Sequence, residues 1–301
     1  MVIMNNFDRQ YLATMRKILD EGVDRPDRTG IGSRAIWCSM QEHDMAEGFP
    51  IITHRKVSLR IAFEELMWML RGSSNVKELQ EKNIHIWDGN STREFLDKRG
   101  LTYLPEGHIG KGYGFNIRNF GGDFATESGN VDYYKLDGNG TDQFKNLLEG
   151  LKRDPQSRRH LILHFDPNTV NEAALPACHY VHHYQILNGR LNSSFTLRSW
   201  DYGFGAPYNW MFYGLLNIII AKYLGIESGK LVGIGMDVHL YENQIEMAKE
   251  LVDRTWFDLP RLNINKDLSS LDDILSLEYS DIELVGYKAH PDYKNKPAMA
   301  V

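Results

Sequence analysis

The segment LPACHY at residues 175–180 sets a thiol, Cys178, directly before an imidazole, His179, in a chain whose only other cysteine is Cys38. A thiolate is a strong nucleophile when cationic groups lower its pKa, and a cysteine in apolar company is otherwise a small buried hydrophobe. The arginines bear on that choice. Arg28 lies in PDRTGIGS, a glycine-rich turn ahead of a strand; Arg158 and Arg159 form a pair in DPQSRRHL; Arg198 ends a strand in TLRSWD. Guanidinium groups at turns and strand ends suit bidentate contacts to one phosphate, but each alone is equally a solvated surface charge. Spacing does not show that they converge.

Glu65 sits among Ile61, Ala62, Phe63, Leu66, Met67 and Trp68. Apolar surroundings raise a carboxyl pKa toward neutrality, which suits proton transfer. The alternative is that Glu64 and Glu65 flank an exposed seam. Asn209, in RSWDYGFGAPYNW, stands near a helix start, where an amide either caps the helix or reads a nucleobase edge with its paired donor and acceptor. His239 and Tyr241 alternate in MDVHLYENQ and share a face if that segment is extended. No His/Cys or His/Asp spacing makes a metal site.

These residues need a framework. The chain has 301 residues, 42% hydrophobic and 25% charged, and a net charge of -6 that argues against a broad nucleic-acid surface. Two cysteines give no disulfide framework, which fits a reducing compartment. The opening MVIMNNFDRQ is too polar for a signal peptide. The run at 210–225 is too short for a membrane span and carries Asn217 and Lys222. These features predict a cytoplasmic protein without membrane or nucleic-acid partners. Apolar periodicity predicts helices at 7–22, 57–72, 141–154, 210–224 and 241–253, and strands at 33–45, 159–165, 180–187 and 190–199. The polar stretch 121–142 reads as a surface loop. No repeat or linker divides the chain, so the expectation is one domain over 1–301. Its class is α+β, a large mixed or antiparallel sheet covered by helices.

Taken together, DRTGIGS, FPIITHRKV, EELMWMLRGSSN, IWDGNSTREFLDKRG, DPQSRR, LPACH, RSWDYGFGAPYN, DVHLYENQ and a terminal AMAV resemble, in this order, the thymidylate synthase and pyrimidine nucleotide hydroxymethylase family. The resemblance runs from about residue 7 to Val301. It implies that fold, with a sheet face forming a homodimer interface, and 5,10-methylenetetrahydrofolate as co-substrate without a metal. Cys178 would add to C6 of a pyrimidine nucleotide. Arg28, Arg198 and Ser199 would hold its phosphate, and Arg158 and Arg159 would reach the phosphate in the neighbouring subunit. Asn209 would read the base, and His239 and Tyr241 the sugar 3′-hydroxyl. Glu65, Tyr113 and His179 would organise water and protons. Ile86, Trp87, Asp201, Gly205, Tyr208 and Ala300–Val301 would line the folate site, with Asp201 and Asn209 also serving catalysis.

The family supports two outcomes from one intermediate: a synthase ends in methyl and dihydrofolate, a hydroxymethylase in hydroxymethyl and tetrahydrofolate. The chain departs from the synthase pattern at GKGYGFNIR (110–118), Leu197 before the phosphate-binding Arg-Ser, Phe204 in FGAPYN, and FDP at 165–167, and at the first three of these it resembles phage deoxycytidylate hydroxymethylases. Those enzymes carry Asp where Asn209 stands, and an amide suits uracil. The retained His179 and AMAV favour a synthase. The resemblance thus points to conversion of dUMP to 5-hydroxymethyl-dUMP, in a phage-infected or bacterial cell. A divergent thymidylate synthase, a (d)CMP hydroxymethylase and a non-catalytic nucleotide binder are the alternatives.

Overall fold

A computed structural model describes residues 5–27 and 29–294. Arg28 and Ala300–Val301, three of the expected site residues, lie outside the described residues. Contacts group the chain into two units, residues 1–63 with 186–269 and 278–301, and residues 64–185 with 270–277.

The first unit is built on a mixed sheet. Its central strand, Glu227–Tyr241, pairs antiparallel with Ser33–Asp44 from Ser33↔Tyr241 to Asp44↔Lys230. On its other side run Arg190–Leu197 and then Trp200–Asp201, both parallel to it. Val23–Arg25 closes the outer edge against Ser33–Asp44. Arg190–Leu197 alternates strictly, with Leu191, Ser193, Phe195 and Leu197 turned inward. Helices Asn6–Glu21 and Gly205–Leu224 pack on these strands. The first starts where Asn5 accepts the Asp8 N–H and buries Phe7, Tyr11, Leu12, Met15 and Ile18. Each such side chain contributes about 1.5–3 kcal/mol on burial.

The long central strand was not legible as one. Its glycines lower strand propensity, and they are there for packing. A Cβ at Gly235 would stand 2.1 Å from the Trp200 ring, and one at Gly233 2.8 Å from Trp210. The expected helix at 241–253 is corrected accordingly: the chain stays extended to Tyr241, turns through Glu242–Gln244, and is helical only over Ile245–Leu251.

In the second unit, residues 64–70 of the helix Leu59–Leu70 join the helices Tyr113–Asn119 and Gln143–Arg153. Asp142 caps the last of these at the Lys145 N–H and also binds Arg118 through both oxygens, at 3.0 and 2.8 Å. The stretch 121–142 is not a plain loop. It forms a hairpin, Phe124–Glu127 against Asn130–Leu136, turned by Ser128 and Gly129 at φ 52° and 83°. Two consecutive positive φ values are what a tight primed turn requires, so Ser-Gly was the missed signal. The expected strand 159–165 shortens to Leu161–Leu163, which pairs with His179–Leu187. Gln143 bonds both the N–H and the carbonyl of Leu163, at 2.9 and 2.7 Å. The architecture is α+β, a mixed and antiparallel sheet covered by helices. Among the described residues no helix is long and apolar enough to cross a membrane.

Candidate active site

In the second unit Cys178 is half-buried, immediately before the strand His179–Leu187. Its backbone N–H donates to the Tyr113 hydroxyl at 2.8 Å. Tyr113 opens a helix, and its buried ring meets Trp87, His179 and His164 edge-on, with centroids at 6.0, 5.3 and 5.4 Å. Trp87 in turn donates its indole N–H to Glu65 at 2.9 Å. Ile86, next to it, is half-buried. The sequence therefore predicted a set, Glu65–Trp87–Tyr113–Cys178–His179, that the fold brings together.

The two adjacent glutamates divide their work. Glu64 is buried and paired with Lys82 at 2.6 Å. Glu65 meets an indole rather than a cation, and burial pushes its pKa up to about 7, against the opposing pull of the Trp87 N–H. The exposed-seam alternative is excluded, because Glu64 is buried and paired and Glu65 is half-buried against the Trp87 indole. Burial lowers His179 to about 4, so its ring is neutral at physiological pH. A neutral His179 does not offer the imidazolium of a cysteine-hydrolase pair. Arg158 and Arg159 are exposed, and neither guanidinium meets a carboxylate among the described residues.

The first unit holds the residues expected to read a nucleotide. Asp201 lies opposite His239 in the parallel ladder and accepts the Gly203 and Phe204 N–H groups at 3.1 and 3.2 Å. That turn starts the helix at Gly205, five residues earlier than its apolar run suggests. Asn209 is therefore inside the helix and is no cap. Instead its Oδ1 accepts the indole N–H of buried Trp200 at 3.0 Å. An indole only donates, so the amide orientation is fixed, with Nδ2 as its donor end. Tyr208 and Gly205 are half-buried beside it, Ser199 is half-buried, and Arg198 is exposed.

His239 and Tyr241 share a face, as alternation predicted, with ring centroids 5.1 Å apart. His239 Nδ1 donates to the Asp237 carbonyl at 2.9 Å and carboxylate at 3.2 Å. Burial opposes protonation of His239, but the Asp237 hydrogen bond and the Asp201 charge carry its pKa above the ordinary value. Asp237 adopts φ 48° and pairs with Arg25. Sequence reasoning passed over Asp237, Arg25 and Trp200. The acidic residue two places before His239 was the available signal for the first.

Of the clefts in this unit, one of about 750 Å³ is lined by Arg25, Asp27, Gly30, Gly32, Arg34 and Glu242. Another of about 440 Å³ is lined by Lys56, Val57, Tyr208, Tyr279, Tyr287 and Asp292. Flat aromatic walls with a lysine at hand fit a pterin-aminobenzoyl-glutamate chemically. Among the described residues no three His, Cys, Asp or Glu side chains are grouped to hold a metal ion.

The four departures from the synthase pattern fall mostly in the interior. Leu197 is 2% exposed, and Phe115 and Ile117 are 1% exposed. Buried Asp166 accepts the Asn168 N–H and the Thr169 hydroxyl, closing a turn. Phe165 and Phe204 are half-buried, and the Arg55 guanidinium lies 5.4 Å over the Phe204 ring.

A family model described as thymidylate synthase matches residues 9–299, and the chain belongs to the thymidylate synthase family. It is 37% identical over 292 residues to the bifunctional dihydrofolate reductase-thymidylate synthase of Paramecium tetraurelia, covering 97% of this chain and 61% of that protein. The corresponding Leishmania major protein is 36% identical, over 98% of this chain and 56% of its own length. The thymidylate synthase of Equine herpesvirus 2 (strain 86/87) is 34% identical, over 96% of this chain and 97% of its own. The chain spans 61% and 56% of the two bifunctional relatives.

Proposed function

We propose that the protein transfers a one-carbon unit from 5,10-methylenetetrahydrofolate to C5 of dUMP and releases dTMP and dihydrofolate. The observation that carries this reading is the setting of Cys178: a half-buried thiol on a residue whose backbone N–H donates to the Tyr113 hydroxyl, with a carboxyl of pKa about 7 linked to the Tyr113 ring through Trp87. The Cys178 thiolate adds to C6 of the pyrimidine and leaves C5 nucleophilic. Asn209 Nδ2 donates to uracil O4, while its Oδ1 stays on Trp200. Arg198, Ser199 and Arg28 hold the phosphate, and His239 and Tyr241 the sugar hydroxyl. Glu65, as the carboxylate, accepts a proton through water and returns it when the thiol leaves. The folate supplies the carbon and the hydride; Ile86, Trp87, Asp201, Gly205, Tyr208 and Ala300–Val301 would hold it.

The methyl outcome is the one that the relatives' names support, and the resemblance of the departures to hydroxymethylases weighs less once most of those residues are interior. A side chain as enclosed as Leu197 neither holds nor releases a reactive water. Phe204 is the one observation that favours the second reading, water attack giving 5-hydroxymethyl-dUMP. Mass analysis of the nucleotide, with dihydrofolate absorbance followed in the same reaction, tests the choice. Thymidylate with stoichiometric dihydrofolate supports the synthase; a product heavier by one oxygen, with tetrahydrofolate, supports the hydroxymethylase.

Base choice gives a sharper expectation. In Asn209→Asp one carboxylate oxygen keeps the Trp200 N–H and the other faces the base as an acceptor, which suits the cytosine amino group. Selectivity should move from dUMP toward dCMP by roughly 1–3 kcal/mol, the cost of a mismatched buried polar pair. Steady-state kcat/KM for both nucleotides reads this directly; unchanged selectivity would remove Asn209 from base reading.

Arg158 and Arg159, exposed without a carboxylate partner, suit the phosphate of a neighbouring subunit, and Met40, 69% exposed on the strand Ser33–Asp44, suits a buried homodimer face. Mixing Arg158→Ala/Arg159→Ala protein with Cys178→Ser protein should restore activity, because one of the two sites in the heterodimer then holds both the thiol and the arginines. Absence of recovery after demonstrated subunit exchange would place the arginines in their own subunit.

A further inference from the structure

Behind the Tyr113 ring lies a histidine pair that the proposed chemistry does not use. His164 and His182 face each other Nε2 to Nε2 within hydrogen-bond reach, with rings tilted by 33° and centroids 4.5 Å apart. Both are buried. His182 Nδ1 lies 3.2 Å from the Tyr184 hydroxyl. His164 Nδ1 lies toward the main chain of Tyr113 but makes no hydrogen bond of normal geometry. The His164 ring meets both Tyr113 and His179 edge-on, and its carbonyl accepts the Asn116 side-chain N–H at 2.8 Å, one helical turn on from Tyr113.

Space filling alone does not explain this pair. A phenylalanine or leucine fills the same volume, whereas a buried ring nitrogen without a partner costs about 1–3 kcal/mol. An Nε2-to-Nε2 hydrogen bond also requires that only one of the two facing nitrogens carry a proton. Burial keeps both rings neutral and keeps the Tyr184 phenol protonated. With the His164 Nδ1–H directed at the Tyr113 main chain, His164 Nε2 accepts from His182 Nε2–H, and His182 Nδ1 accepts from the Tyr184 hydroxyl. The order of donors runs one way, from Tyr184 toward the group that receives the Cys178 N–H.

We propose that His164 and His182 are positioning residues: the tautomer-locked pair fixes the Tyr113 backbone and ring, and through the Tyr113 hydroxyl the approach of Cys178 to its substrate. This rests on Cys178 being the nucleophile. The test uses full-length protein in a Cys38→Ser background, so that Cys178 is the only thiol. His182→Phe keeps an aromatic ring without nitrogen; His182→Gln keeps an N–H donor near the Nε2 position. For His182→Phe, kcat should fall about tenfold or more with the dUMP KM little changed, since misplacement of a reacting group acts on the chemical step. Alkylation of Cys178 by iodoacetamide should change rate as well, and His182→Gln should recover most of both. Parent-like kcat and alkylation in His182→Phe would overturn the proposal. So would equal losses in the two variants tracking their thermal stability, which is the pattern of mere packing. If the parent itself turns over no dUMP, the reading of the reaction fails, and the alkylation rates still decide whether the pair positions the thiol.

Discussion

Cys178→Ser should lower turnover by roughly 10⁴-fold or more while dUMP still binds within a few-fold of the parent. A serine hydroxyl has a far higher pKa than a thiol, and an imidazole whose pKa is lowered to about 4 is too weak a base to ionise it. That imidazole, His179, is neutral, and Tyr113 receives the backbone N–H rather than serving as a base. In the proposed function, in contrast, ground-state affinity comes from the arginines and from Asn209, which the substitution leaves in place. Turnover assays with calorimetric titration of dUMP separate the two quantities. Substantial turnover by the serine variant would remove Cys178 from its role as nucleophile, and lost binding would make it a structural residue.

Glu65→Gln should also be nearly inactive, by roughly 10²–10⁴-fold, yet more stable than the parent in alkaline solution. The carboxyl, raised by burial from 4.5 to about 7, binds its proton more tightly in the folded chain than in the unfolded one. Stability therefore falls as pH rises from about 4.5 to 7 and stays lower above that, by up to about 3 kcal/mol. Glutamine has no such proton to lose and still accepts the Trp87 N–H. Denaturant midpoints should agree for the two proteins at pH 4 and diverge at pH 8 in favour of the variant. The parent's kcat/KM should fall as pH drops below about 7, and residual activity of the variant should lack that limb. A variant less stable at pH 8 would mean that Glu65 stabilises the fold through its charge.

The candidate site residues were legible because several carry an anomaly that needs no neighbour to see it. Cys178 sits beside an imidazole, Glu65 interrupts an apolar helix, and His239 and Tyr241 alternate. What supports them was not legible. Trp200 reads as core, and only the helix start at Gly205 turns its indole N–H onto Asn209. Arg25 and Asp237 are 212 residues apart in the chain and meet through the pairing of Val23–Arg25 with Ser33–Asp44 and of that strand with Glu227–Tyr241. His164 and His182 look like polar punctuation in two short strands until Ile162 pairs with His182. The fold class followed from apolar periodicity. The central strand escaped it because glycines that admit Trp200 and Trp210 erase the strand pattern. The four departures show the converse: differences from a family pattern suggested altered chemistry, and most of those side chains lie in the interior.

The central claim is covalent chemistry at C6 by Cys178 with the folate present, and one measurement addresses it. Parent protein is incubated with 5-fluoro-dUMP and 5,10-methylenetetrahydrofolate, denatured, and weighed intact before digestion. Fluorine at C5 cannot leave as the proton does, so a productive site stops at the stage where enzyme, nucleotide and one-carbon unit are joined. The account predicts a denaturation-resistant mass increase equal to nucleotide plus folate, located on the peptide that contains LPACHY. An unmodified chain, or an adduct on Cys38, would contradict it.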